Sequence, residues 1–409
     1  MLNAIWLGFF FIAFVTGLYR LLVLDDVDVF TDMTQALFSL STTAFEISLG
    51  LTGILCFWMG VMKIGERSGF IDILSRLLQP LLKRLMPDVP EKNPAFGAII
   101  MNLSANMLGL DNAATPLGIR AMQYLQEINP LKDTASNAQI LFLVINTSAV
   151  TLFPITIFTY RAQMGAANPT DVFIPILIAT YASTMAGLIA VSVMQRIKLY
   201  QPVVIGYLLG FSAIIFTLLR YFSNLDQQAM QQQSSLISNI TIFTLIIAFM
   251  LGAVKRRVNV YESFISGAKE GFQTAIMIIP YLVAMLVAIG VFRASGALEV
   301  FLDALRSTLT SFAIDTRFIE GLPTALMKPL SGSGARAMMV ETMNTHGADS
   351  FAGRLASIVQ GSTETTFYVL AVYFGAVGIK KARHAVVCGL FADLIGIVVA
   401  IAVAYLFFG

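Results

Sequence analysis

Residues 102–122, NLSANMLGLDNAATPLGIRAM, crowd Asn, Ser, Asp, Thr, Gly and Pro into a chain whose neighbouring segments are apolar enough for lipid. A lipid-facing helix cannot carry such a stretch, because each unpaired polar group in hydrocarbon costs several kcal/mol, roughly. Interrupted, polar backbone at membrane depth is tolerated where protein buries it or where it lines a cavity. A second stretch of this kind, KPLSGSGARAMMVETM at residues 328–343, lies in the other half of the chain. The expected architecture is a frame that holds these two breaks against each other.

Composition supplies the solvent for that frame. Apolar residues make up 57% of the chain and charged residues 12%. Mean hydropathy is +0.79. Such values exclude an ordinary soluble domain and indicate a polytopic helical membrane protein. A net charge of +2 is too small to imply a nucleic-acid partner. Cys56 and Cys388 sit in apolar runs and read as small buried hydrophobes. His346 and His384 are isolated, so no metal site is expected. No nucleophile–base pair or cofactor loop is legible, and neither an enzyme nor a cofactor is expected.

Taken in order, residues 2–24 read as a retained membrane helix, residues 29–41 as a short interfacial helix and residues 46–64 as a second apolar run. Residues 67–86 place Phe70, Leu74, Leu77, Leu78, Leu81 and Leu85 at helical spacing among charges, the pattern of an amphipathic surface helix bent at Pro80. Residues 96–108 and 113–125 read as two half-helices meeting at 109–112, with Asp111 or Asn112 placed to cap the second. Residues 136–160 form a span with a polar middle, and Pro154 should free a carbonyl near position 150. Residues 171–195 and 202–219 span plainly. Residues 223–235, SNLDQQAMQQQSS, read as a polar loop and domain boundary.

The second half repeats the list. Residues 236–254 span, 261–273 form a short polar helix, 274–291 span, and 296–312 are amphipathic. Residues 318–327 lead into the break at 328–334, and 335–343 form the second half-helix. Residues 351–373 carry Gln360, Ser362, Thr363, Glu364, Thr365 and Thr366 at mid-depth, and 385–408 make the last span. GERSGFIDIL is echoed by FRASGALEVFL, and SAVTLFPITIF by STETTFYVLAV, at an offset of roughly 214 to 227 residues. That period suits a duplicated transporter half. The expected fold is all-α and polytopic, with two homologous repeats, broken helices and amphipathic surface helices. The repeats are expected at 1–199 and 236–409, with a linker span and Gln-rich loop at 200–235. An added span fits an inverted arrangement, which is the one favoured.

The first half resembles the spore maturation protein A family, through the 102–122 stretch and NTSAVTLFPITIFTYRAQ. The second resembles the spore maturation protein B family, through SGAKEGF, PYLVAM, KPLSGSGARAM, ADSFAGRLAS and GSTETTFYVLAVYFGAVGIKK. Both families carry the Gate, or nucleoside-recognition, module, which is similar to parts of concentrative nucleoside transporters and of the ferrous-iron permease. The resemblance implies a role at a membrane, linked in spore-formers to maturation and core dehydration.

The residues then point to a permease-like protein in the lipid bilayer, moving a small polar or anionic solute through a midplane site. A nucleoside is one such solute, H+ or Na+ a coupling ion, and a homo-oligomer is open. Glu364 is a carboxyl in an otherwise apolar span, so it binds a ligand or proton or joins helices as a hydrogen-bond hub. Arg336 at a half-helix start holds an anion or pairs with Glu364 or Asp111; Lys328 does likewise or reaches an interface. Asp111 and Asn112 coordinate a solute or cap a helix. Asn102, Ser104, Asn106, Thr115, Asn146, Ser148, Ser331, Ser333, Ser362, Thr363 and Thr365 complete the candidate binding set. The other reading is a non-transporting scaffold or gate that regulates a partner.

Overall fold

The computed structural model describes residues 2–107, 111–312 and 315–409, and the side chains of all of these except residues 2 and 111–113. The first half runs α1 (Leu2–Val23), α2 (Val29–Ser68), α3 (Phe70–Leu85), α4 (Ala95–Met107), α5 (Asp111–Glu127), α6 (Asn137–Thr147), α7 (Ile155–Gln163) and α8 (Phe173–Gln195). After α9 (Pro202–Ser223), the second half runs α10 (Gln227–Lys255), α11 (Val260–Ala294), α12 (Ala297–Thr310), a 3-10 turn (Arg317–Gly321), α13 (Leu322–Met327), α14 (Gly332–His346), α15 (Phe351–Ser362), α16 (Thr366–Ala376) and α17 (Ala385–Phe408). Among the described residues, 7 helices are long and apolar enough to cross a membrane. The chain is therefore an all-α, multi-pass membrane protein.

Three expectations need correction. The short helix at 29–41 and the run at 46–64 are one helix, α2, of 40 residues. The pair at 261–273 and 274–291 is likewise a single α11 of 35 residues that carries Pro280 inside it. No breaker separates the polar and apolar parts, so intrahelical bonding continues through both. At 1.5 Å per residue α2 is about 60 Å long, twice the hydrocarbon thickness, and must project from the bilayer or tilt. The supposed loop 223–235 is mostly the start of α10. Asp226 accepts from Ala229 N (2.8 Å) as its N-cap, and the glutamines continue the helix. Third, the polar-centred spans 136–160 and 351–373 are each cut in two, at 148–154 and at 363–365.

The frame is inverted, as favoured. On α2 and α11, Gly290 approaches Leu40, Gly271 approaches Leu55 and Cys56, and Gly267 approaches Met59 and Lys63. One helix thus ascends as the other descends. The same holds for α8 and α17, where Gly187 meets Ala392 and Gly396 meets Ser183. Equivalent helices of the two repeats are antiparallel, which only an inverted relation allows. The α2–α3 and α11–α12 corners match in detail. Gly69 (φ 86°) and Gly296 (φ 81°) each take the left-handed turn that a side chain resists. Arg256, the C-cap of α10, stands over Gly69, and Arg20 of α1 over Gly296, so each repeat's first span packs on the other repeat. Trp6 Nε1 adds a bond to the Ala284 carbonyl (3.0 Å).

Matching clasps close the two ends. At one, Arg161 is fully buried, donating to the Ala348 carbonyl (2.8 Å), Asp171 (2.9 Å) and Asp349 (3.1 Å), while Arg354 reaches Asp171 (2.8 Å). At the other, Lys380 N and Lys381 N donate to the Asp133 carbonyl (2.8 and 2.9 Å) and Ala135 N to the Lys381 carbonyl (3.0 Å). Each clasp ties the end of one broken span to the start of the other.

Candidate functional site

Two of the helix interruptions cross at the centre of the molecule. The segment 363–365 is bound by its Glu364 N–H to the carbonyl of Thr147, the last residue of α6, at 2.7 Å. Phe367 N donates to the Pro329 carbonyl in the α13–α14 break (3.0 Å), and Leu152 N to the Met107 carbonyl at the end of α4 (2.9 Å). Broken helices strand their terminal carbonyls, and these bonds satisfy three of them from a neighbouring segment. Pro154 explains the first cut, since it has no N–H and clashes with the preceding turn. No proline lies at 363–365. There Thr363, Thr365 and Thr366 are β-branched and stiff at χ1.

The crossing leaves a small cleft of about 70 Å³ lined by Asn106, Thr151, Thr156, Lys328, Arg336, Gln360, Thr363, Glu364 and Thr365, with Phe153, Pro154 and Ile155 as its apolar wall. Each of the broken spans contributes to it. Lys328 caps α13 and is buried. The Arg336 guanidinium lies 5.8 Å from the centre of the Tyr160 ring, a cation–π distance. Gly332, at the start of α14, presents that helix's positive end to the same space. Two cationic side chains, one carboxyl, four threonines and two amides suit a polar solute with at least one anionic or electron-rich group. No gathering of three or more His, Cys, Asp or Glu is found among the described residues.

Of the candidates, Asn106, Lys328, Arg336, Thr363, Glu364 and Thr365 meet at this cleft. Asn102 and Asn146 do not line it. Asn146 Nδ2 donates to Asn102 Oδ1 (2.6 Å), and Asn102 Nδ2 to the Ala114 carbonyl (2.7 Å) and Tyr373 Oη (3.1 Å). This chain stitches α4, α5, α6 and α16 together. Ser148 and Ser362 donate back to their own helices, at Val144 (2.7 Å) and Val359 (2.8 Å). Ser331 caps α14 through Gly334 N (3.0 Å) and bonds Ser333 (3.3 Å). Ser104 is buried on α4, and Thr115 is half-buried on α5, both away from the cleft. The side chains of Asp111 and Asn112, and the break at 109–110, lie outside the described residues.

Two features escaped the sequence reading. Asp393, 1% exposed, sits in the middle of α17 on the helix face turned to residues 363–366. A lone carboxyl in an apolar span is itself a signal, and it was masked by the strength of the surrounding hydropathy. The Arg161 clasp had no local signature, because Ala348 and Asp349 lie 187 and 188 residues away in sequence and only Asp171 is near.

Comparison with known proteins follows the two repeats. The Gate family, described as nucleoside recognition, matches at residues 48–164 and 275–380. Spore maturation protein B of Bacillus subtilis (strain 168) is 50% identical over 173 residues, 42% of this chain and 95% of the relative. Spore maturation protein A of the same organism is 40% identical over 189 residues, 46% of this chain and 93% of the relative. No solved structure matches the chain.

Proposed function

The chain belongs to the Gate family, described as nucleoside recognition, and from that premise we propose that it is a permease-like protein whose cleft binds a small polar solute between two inverted repeats. The expected repeats, residues 1–199 and 236–409, are like spore maturation proteins A and B respectively, with the second starting earlier, at Gln227 where α10 begins, so that residues 200–226 link them. The observation that supports the reading is the meeting of four interrupted helices at one polar cleft. A stable scaffold has no use for so many severed hydrogen-bond ladders, whereas transporters place discontinuous helices at the midplane and bind solute there. Lys328, Arg336 and the positive, N-terminal end of α14 favour an anionic or electron-rich group. Glu364 offers a carboxyl, and Thr151, Thr365, Asn106 and Gln360 the hydroxyl and amide partners, that a sugar or a nucleobase edge uses. A nucleoside or a small nucleoside-like anion fits that chemistry.

The test is uptake of labelled nucleosides and small carboxylates into liposomes containing the purified protein, alongside Glu364→Gln. The wild type should accumulate at least one solute, and Glu364→Gln should cut its flux at least tenfold with melting temperature kept. Wild-type liposomes that move nothing, with a protein whose melting temperature ignores every solute, would leave the scaffold reading in possession. Undiminished flux in Glu364→Gln would remove Glu364 from the site.

A further inference from the structure

Behind the cleft lies a second, drier cluster. Gly389, Asp393 and Gly396 occupy one face of α17, spaced four and three residues apart. A Cβ on Gly389 would meet Thr366 Cγ2 at 2.8 Å, and one on Gly396 would meet Thr363 Cγ2 at 2.8 Å. The two threonines therefore lie flat on α17 on either side of Asp393, and their hydroxyls are the groups that face its carboxyl. All three side chains are nearly inaccessible, at 1%, 3% and 0% exposure for Asp393, Thr363 and Thr366. The threonine hydroxyls stand close enough to act on the Asp393 carboxyl, yet none of the four oxygens makes a hydrogen bond of normal geometry among the described residues.

Four buried oxygens so poorly satisfied are costly, the carboxylate most of all. Their chemistry states what would satisfy them. The set is all hard oxygen, without nitrogen or sulfur, and carries one formal negative charge. The C-terminal, negative end of α15 (Phe351–Ser362) opens onto the same unwound segment. The charged neighbours acting on Asp393 are Lys328 and Glu364, whose formal charges offset each other. Divalent ions draw more carboxylates than one. A proton on Asp393 would supply a single donor, whereas a cation between the oxygens takes a lone pair from each.

We propose that Asp393, Thr363 and Thr366 form a sodium site, in which the unwound segment 363–365 bears a cation ligand on its α17 side and cleft-lining Thr365 and Glu364 beside it. Sodium held here fixes the segment's conformation, and so couples cation occupancy to the shape of the cleft. The site stands whether or not the protein transports, because it is read by binding alone.

The experiment is thermal unfolding of the purified full-length protein in detergent at fixed pH, with sodium exchanged for choline or potassium at constant ionic strength. The wild type should gain melting temperature with sodium only. Asp393→Asn and, separately, Thr363→Val should raise the half-saturating sodium concentration at least tenfold. If Asp393→Asn does not fold, Thr363→Val and Thr366→Val carry the test. A wild type indifferent to sodium, or threonine variants with the wild-type sodium response, would overturn the proposal. A melting temperature that follows pH alone would overturn sodium and leave a proton carrier.

Discussion

At the scale of single residues, the polar positions sort by what they touch rather than by type. Asn102 and Asn106 lie four apart on α4, yet the first is locked in a buried chain with Asn146 and Tyr373 and the second faces the cleft. Both are equally legible as unusual, and sequence spacing could not separate them. His384 offers a sharper case. Gln195 Nε2, a pure donor, lies 3.0 Å from His384 Nε2, so that nitrogen must accept and the ring is neutral. Burial, and then Arg383, hold its pKa below the ordinary value of about 6.5. The unfolded chain thus binds a proton at a higher pH than the folded one. Stability is unaffected above the unfolded pKa and falls as pH drops through it toward the folded value. Melting temperature between pH 7.5 and 5.5 should decline, and His384→Gln should flatten the slope. A parallel slope in the variant would assign the decline to other groups.

At the scale of elements, long apolar and amphipathic runs were legible, because hydrophobic period is local information. The half-helices α4 and α5 fell within two residues of their expected ends, and α3 and α12 within three. The cuts in the polar-centred spans were not legible as cuts. Whether a Thr-rich or Pro-containing stretch bends or opens depends on whether a neighbour supplies donors to its freed carbonyls, as Glu364 N does for Thr147. The α2–α11 pair shows the same dependence in packing. Gly271 brings its backbone onto the Leu55 carbonyl, where a Cβ would lie 2.6 Å away, whereas Gly53 has nothing within 4 Å. Both are glycines inside helices. Gly271→Ala should cost about 1–3 kcal/mol by forcing two backbones apart. Gly53→Ala should be neutral or stabilising by about 0.5–1 kcal/mol through helix propensity. Thermal unfolding of the two variants side by side checks this, and equal effects would refute the close approach.

At the scale of the whole molecule, the inverted pairing places two related clasps at different depths of burial. Arg161 is 0% exposed and its partner Asp171 3%, whereas Lys381 and Asp133 are 70% and 53% exposed. The threonine hydroxyl of Thr134, then Lys381, hold the Asp133 carboxyl below its ordinary pKa, and that small contribution is lost only as pH falls through the lowered value. Removing Arg161 leaves buried Asp171 with Arg354 alone, takes the donor from the Ala348 carbonyl and empties a fully buried site. Arg161→Ala should therefore cost about 3–5 kcal/mol, enough to unfold a marginal protein. Lys381→Ala should cost about 1 kcal/mol or less. Detergent-solubilised yield and melting temperature measure both, and similar losses would mean that burial does not govern the clasps.

The amino-acid sequence by itself determined the solvent, the helical class, the duplication and the presence of polar breaks, because each is written in hydropathy, period or repetition along the chain. Only the tertiary structure decided that the repeats run antiparallel, that three breaks and the end of α4 share one cleft, and that Asp393 faces Thr363 and Thr366. Those facts rest on which groups meet across the interior, and burial against a distant partner leaves no trace in local order.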